Sequence, residues 1–359
     1  AVFALTSCDD DDDDDNGGNN DTSGNIIKTG EITSDETWST GNVYELDGRV
    51  TVTGGATLTI EPGVIIKGQA GSAANASALL IARDGMIMAE GTAAEPIIMT
   101  SVADEIEPGM ISSPNLDPGL SGFWGGLIVL GEAPISASQS PIQIEGIPVS
   151  DQNGLYGGSD AADNSGVIRY VSVRHGGTDI GAGNEINGIS LGGVGSGTTF
   201  SYVEVVGNKD DGIEWYGGTV NGDHLLSVFC ADDALDYDEG YRGMNQFVIV
   251  HQDPNDADRG GEHDGGTDPE TGTPYATPLF YNVTSVGSPT SRAITFRDNA
   301  GGEYHNSIFV DYGNGVDIEL LPTTQDSYKM WFDGLLKVEN NIFHNIGAGT
   351  TGDDIFKIS

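Results

Sequence analysis

The chain has 359 residues, with 14 Lys plus Arg against 55 Asp plus Glu, a formal net charge of −41. That balance excludes nucleic acid as a partner, which needs clustered cations, and excludes electrostatic docking on anionic lipid. Gly numbers 54, about twice the usual ~7% share. With its many Val, Ile and aromatic residues this composition points to an all-β protein rich in turns. No run of ~18 apolar residues is present, so no transmembrane helix is expected. Two cysteines, Cys8 and Cys230, exclude a disulfide-stapled scaffold.

The first seven residues, AVFALTS, read as the remnant of an export signal. Leu5-Thr6-Ser7-Cys8 resembles a bacterial lipobox, which makes Cys8 the lipidated residue. Residues 8–25 then form an acidic tether that opens with seven aspartates, Asp9 to Asp15. Such a run repels itself and buries nothing. Acidic residues just after a lipidated Cys resemble the export signals of surface lipoproteins in Bacteroidota. The expected location is therefore the outer membrane, exposed at the cell surface, with the acyl anchor as the sole contact with lipid. Cys230 is left unpaired in Leu225-Leu226-Ser227-Val228-Phe229-Cys230 and reads as a buried free thiol.

Residues 26–48 read as an N-terminal cap region, and 49–359 as the body. From Arg49 onward short β-branched runs such as Val50-Thr51-Val52-Thr53 and Thr57-Leu58-Thr59-Ile60 are broken by Gly, Asn and Asp. Alternation with period two marks strands. Asn187-Gly188-Ile189, Asp211-Gly212-Ile213 and Asp233-Ala234-Leu235 follow one another at steps of 24 and 22. Tyr170, Tyr202, Leu225 and Phe247 each open a further run, at steps of 32, 23 and 22. A period of this size with two or three short strands suits one coil of a right-handed parallel β-helix. Residues 251–278, rich in Gly, Pro and acids, read as a loop extruded from the coils.

Thr57 to Gly68 (TLTIEPGVIIKG), Phe123-Trp124-Gly125-Gly126, Tyr156-Gly157-Gly158, Asp163 to Val171 and Gly240-Tyr241-Arg242-Gly243 carry a resemblance. They resemble right-handed parallel β-helix surface lipoproteins of Bacteroidota and marine bacteria. More distantly, the architecture is similar to the pectate-lyase-like superfamily. The resemblance implies the fold and leaves the function open, because this scaffold hosts enzymes, adhesins and spacers alike.

The densest chemistry lies in consecutive coils, Asp210, Asp211 and Glu214 in one and Asp232, Asp233 and Asp236 in the next. Equivalent positions stack ~4.8 Å apart, so these carboxylates repel unless a hard cation such as Ca²⁺ bridges them. The alternative is that they are turn residues capping backbone amides. In the 251–278 segment His263, flanked by Glu262 and Asp264, has the chemistry of a metal ligand or an acid–base group. Arg242 and His251 are the other catalytic candidates, and an ion pair with neighbouring acids is the competing role for Arg242. Trp215, Tyr237 and Tyr241 are candidates for stacking on sugars, with core packing as the alternative.

The leading expectation is a cell-surface lipoprotein presenting a rigid β-helical face to a glycan or a surface protein, assisted by calcium. The competing expectations are a polysaccharide lyase or glycoside hydrolase, and an accessory lipoprotein of an outer-membrane transporter.

Overall fold

A computed structural model describes residues 24–179, 185–322 and 325–359. Cys8 and the aspartate run lie outside the described residues. The short β-branched runs become strands that pair in parallel with the equivalent run one coil away, and three such ladders enclose a single core. The chain is an all-β parallel β-helix.

The first sheet runs from Glu36–Trp38 through Thr57–Ile60 and Met86–Glu90. It continues through the leading halves of Gly166–Arg174, Thr199–Val206, Asn221–Val228, Met244–His251 and Leu279–Val286. The trailing halves of those long strands belong to the second sheet. The bend between them is a single residue at positive φ: Tyr170 (49°), Tyr202 (54°), His224 (55°), Phe247 (59°) and Asn282 (58°). Left-handed backbone costs an L-residue roughly 1–2 kcal/mol, and here it recurs in register at one corner. The third sheet stacks Leu127–Leu130, Ile189–Gly192, Ile213–Tyr216, Leu235–Asp238, Glu262–Asp264 and Arg292–Arg297.

The parallel ladder begins earlier than Arg49. Ile26–Ile32 already pairs with Val43–Val52, so residues 26–48 contribute strands to the stack rather than only a cap. The 251–278 segment is not wholly extruded either. Glu262–Asp264 is a rung of the third sheet between Leu235–Asp238 and Arg292–Arg297. Its inward position is filled by His263, not by an aliphatic residue, so the alternating pattern is hidden.

Two insertions cover outer faces of the coils. The segment after Leu130 folds into an antiparallel hairpin, Ile142–Gln143 with Leu155–Tyr156. Its Ile135, Ile144, Ile147 and Tyr156 pack on Leu80, Ile128 and Leu130, so it lies across the outside of the third sheet. The segment after Ser101 places Ile106 on Val43, Ile65 and Ile98, outside the second sheet.

Gly166, where the chain re-enters the coils, has φ +114°, and a Cβ there would overlap the carbonyl of Ile87. Gly166→Ala is expected to cost at least about 2 kcal/mol, from backbone strain added to the overlap. Urea unfolding of the variant against the parent measures it, and a change within experimental error would contradict this geometry.

Candidate functional site

The outward side chains of the third sheet form the site. In-register pairing aligns Glu214 with Asp236, and Asp236 with Glu262. Inward neighbours Trp215, Tyr237 and His263 hold the same rungs from the core side. At the preceding turn Asp211 and Asp233 form a second acidic column. The Asp233 backbone N–H donates to Asp211 Oδ1 at 2.9 Å, and the Arg259 N–H donates to Asp233 Oδ1 at 2.7 Å. Each aspartate thus caps the next coil with one oxygen. The capping role and the cation role both remain available, because a carboxylate has two oxygens.

These columns, together with Asp210 and Asp232, line a cleft of about 230 Å³. Glu145 from the hairpin, Glu185, Asn187 and Glu262 complete its walls, and no apolar side chain lines it. Asn187 donates its amide to Glu214, and the Tyr216 hydroxyl reaches Asn187 at 3.1 Å and Glu145 at 3.2 Å. Among the described residues, cations stand at the rim and not in the lining. Arg259 pairs with Glu262 at 2.9 Å and Asp258 at 2.7 Å, Arg297 with Glu262 at 2.9 Å, and Lys209 with Glu185 at 2.6 Å. Nine lining carboxylates therefore outnumber three neighbouring cations.

Burial and crowding push these acids upward. Burial, then Asp232 and Glu145, raises Asp210 to about 7. Burial raises Glu262 to about 7 despite Arg259 and Arg297. Asp211, Glu214 and Asp236 are driven well above the carboxylate range, first by burial and then by neighbouring acids. Among the described residues Asp236 Oδ1 is buried without a hydrogen-bond partner. Three groups place one ligand oxygen from each member within 4.8 Å of the others: Asp210, Asp211 and Asp232; Asp211, Glu214 and Asp236; Asp232, Asp233 and Asp258. Asp211 and Asp232 are each shared by two groups. An all-oxygen set without His or Cys fits a hard cation such as Ca²⁺ and does not fit Zn²⁺.

The six acids expected to act together, Asp210, Asp211, Glu214, Asp232, Asp233 and Asp236, are brought to one cleft. The other candidates are placed elsewhere. Trp215, Tyr237 and Tyr241 are not a surface platform. All three are fully buried, with Trp215 stacked on Tyr241 at 5.3 Å; Trp215 and Tyr237 point inward because each follows an outward acid on its strand. His263 is fully buried too, stacked on Tyr237 at 4.1 Å with Nε2 2.8 Å from the Tyr304 hydroxyl. Burial pulls its pKa to about 3, so it is neutral and unsuited to surface acid–base work. His251 ends a second-sheet strand, its ring 5.2 Å from Phe229, and so faces away from the acids. Arg242 is half-buried, which pulls its pKa down, and among the described residues it makes no ion pair, so the pairing with neighbouring acids is not formed. Cys230 is a buried free thiol, pushed up to about 11 by burial.

Glu145 was not recognisable beforehand, since it comes from an insertion with no coil period. Asn187 was visible as the first member of the Asn187, Asp211, Asp233 series. A second groove of about 470 Å³ adjoins the cleft, sharing Glu145 and lined by Tyr156, Tyr216, Asp238 and Thr267. A comparison with curated proteins and one with solved structures each returned no match. The family model described as a pectate-lyase-like β-helix domain matches residues 30–358, and the chain belongs to that family.

Proposed function

We propose that this protein is a calcium-dependent glycan-binding β-helix, held at the outer surface of a bacterial outer membrane by lipid on Cys8. The carboxylate excess in the cleft carries this reading. Bound calcium offsets much of the cleft's negative field and presents a local positive centre with open coordination positions for an anionic oxygen. A carboxylated sugar then ligates the metal through oxygens while its body occupies the adjoining groove beside Tyr216 and Tyr156.

The competing enzymatic reading draws on Asp210 and Glu262, whose pKa values near 7 suit a proton-transferring carboxyl group. Against a lyase, no Lys or Arg among the described residues lines the cleft to abstract the α-proton; a hydrolase needs only a pair of carboxyl groups, so product analysis decides that case.

A panel of acidic and neutral polysaccharides, with calcium or with EGTA, separates the two. Binding of an acidic glycan that is lost in EGTA, with no new chain ends and no unsaturated-uronate absorbance, is the expected result. Calcium-dependent product formation would replace the binding reading with a lyase or hydrolase. Absence of acidic-glycan binding under both conditions would remove it. An accessory role at an outer-membrane transporter would show as a barrel protein copurifying after mild detergent extraction.

A further inference from the structure

The outside of the second sheet carries a different kind of surface. One outward column runs in unbroken register from Val43 through Ile65 and Ile98 to Ser172 and Glu204. It continues through Leu226, Ile249, Thr284, Ile308 and Ile342. The first three residues are buried under the loop that carries Ile106. Further along the column the cover is gone, and Ile249, Ile308 and Ile342 are 51%, 39% and 57% exposed. The five residues from Leu226 to Ile342 span roughly 19 Å at the spacing of paired strands.

Beside this column lies the positive-φ corner. Its side chains stack in the same register: Tyr170 on Tyr202 at 4.4 Å, Tyr202 on His224 at 4.2 Å, and His224 against Phe247 at 5.0 Å. Asn282 and Asn306 continue it, joined by a side-chain hydrogen bond. The ring faces are used on one another, so the corner offers ring edges and amide groups to solvent. From Leu226 and His224 onward neither column itself contains an Asp or Glu, in a chain of net charge −41; Asp223 flanks the corner, its Oδ1 2.6 Å from the His224 ring. At its N-terminal end the lane opens into a groove of about 430 Å³. There Arg174 is fixed by Ser172 Oγ at 2.7 Å, the Ile111 carbonyl at 2.9 Å and Glu204 at 3.2 Å.

We propose that this lane binds a neutral, extended polysaccharide chain lying along the helix axis. The site is separate from the acidic cleft and needs no calcium. A straight surface that repeats once per coil is matched by a linear polymer that repeats along its own length. An apolar floor with a polar edge suits sugar rings, which combine C–H faces with hydroxyl rims, and the Arg174–Glu204–Ser172 network supplies donors and acceptors at one end. Charge selects the neutral class, because an acidic polymer would meet the field of a highly anionic body without a metal to offset it.

The test uses the protein in EGTA, so that the cleft does not contribute. Insoluble cellulose, chitin, xylan and mannan serve for pull-down, and their soluble oligosaccharides for titration calorimetry. At least one neutral polymer should bind. Ile249→Asp and Ile308→Asp, both at exposed positions, should each weaken binding at least about tenfold, since a carboxylate would be desolvated against the sugar. Circular dichroism and the calcium response of these variants should match the parent. Asp211→Asn/Asp236→Asn should leave this binding intact, which separates failure here from failure of the cleft reading. No binding to any neutral polymer, or binding indifferent to both Asp variants, overturns the proposal. So does a concentration-dependent dimer, seen by sedimentation, that Ile249→Asp dissolves, because the lane is then a self-interface.

Discussion

Without metal, the protein is expected to lose thermal stability as pH rises from about 4 to about 7 and beyond, and calcium is expected to reverse the trend. Asp210 and Glu262 sit near 7 when folded, against roughly 3.9 and 4.3 in an unfolded chain. Asp211, Glu214 and Asp236 are raised as well. A raised acid binds more protons folded than unfolded between those values. Its contribution is therefore fully present below the unfolded pKa and is lost as pH climbs through the folded pKa. Calcium binds the deprotonated carboxylates, so its affinity must rise over the same interval. At free calcium one hundred times its Kd, a site adds about 2.7 kcal/mol, which for a chain of this length corresponds to a Tm increase of roughly 3–5 °C. Melting curves between pH 4 and pH 8, in EGTA and in calcium, measure both effects. Asp211→Asn/Asp236→Asn should raise the Tm of the metal-free protein by relieving repulsion and should abolish most of the calcium shift. Acids serving only as turn caps would give the opposite result, a lower Tm in EGTA and no calcium shift in the parent.

The period of the coils was legible because inward apolar residues recur at fixed spacing, and a solenoid must stack equivalent positions. That same logic places Asp211 with Asp233 and Glu214 with Asp236 from the sequence alone. It also placed Trp215 in register with Tyr237, but spacing alone does not say whether a register position faces water or core. Their neighbours Glu214 and Asp236 decide the matter: if the acids point outward, the aromatic residues between Glu214 and Tyr216, and between Asp236 and Asp238, point inward.

The exposed aromatic corner was hidden for a related reason. Tyr170, Tyr202 and Phe247 open the runs at the observed steps, yet a residue at positive φ interrupts strict alternation, so parity gives no side for it. His224 and Asn282 were missed at the same corner because they share a backbone conformation and not a chemistry. Glu145 depends on how an insertion of irregular length folds back across the third sheet, and no local pattern encodes that contact. Glu262–Asp264 does not read as a strand because Gly261 and His263 occupy places where the other rungs carry large apolar side chains.

Trp215→Ala is expected to destabilise the fold by about 3–5 kcal/mol while leaving the calcium shift and the affinity of the folded fraction for glycan unchanged. Trp215 is fully buried, stacked on Tyr241 at 5.3 Å and meeting Phe280 edge-on at 6.2 Å. Removing the indole leaves a cavity lined by rigid rungs, and strands tied to coils on both sides have little freedom to close it. Its Nε1 has no hydrogen-bond partner, and a buried unpaired donor costs roughly 1–3 kcal/mol. Trp215→Phe should therefore be much milder than the alanine variant, because it removes that donor while keeping an aromatic ring on Tyr241. Urea unfolding and calorimetric titration of the parent and both variants give stability and affinity separately. A solvent-facing sugar platform makes the reverse prediction, in which Trp215→Ala keeps its stability and loses its ligand. That result would require the third-sheet rungs to present their aromatic side chains outward, and with them would turn Glu214, Asp236 and Glu262 into the core, where three uncompensated carboxylates are incompatible with a stable coil.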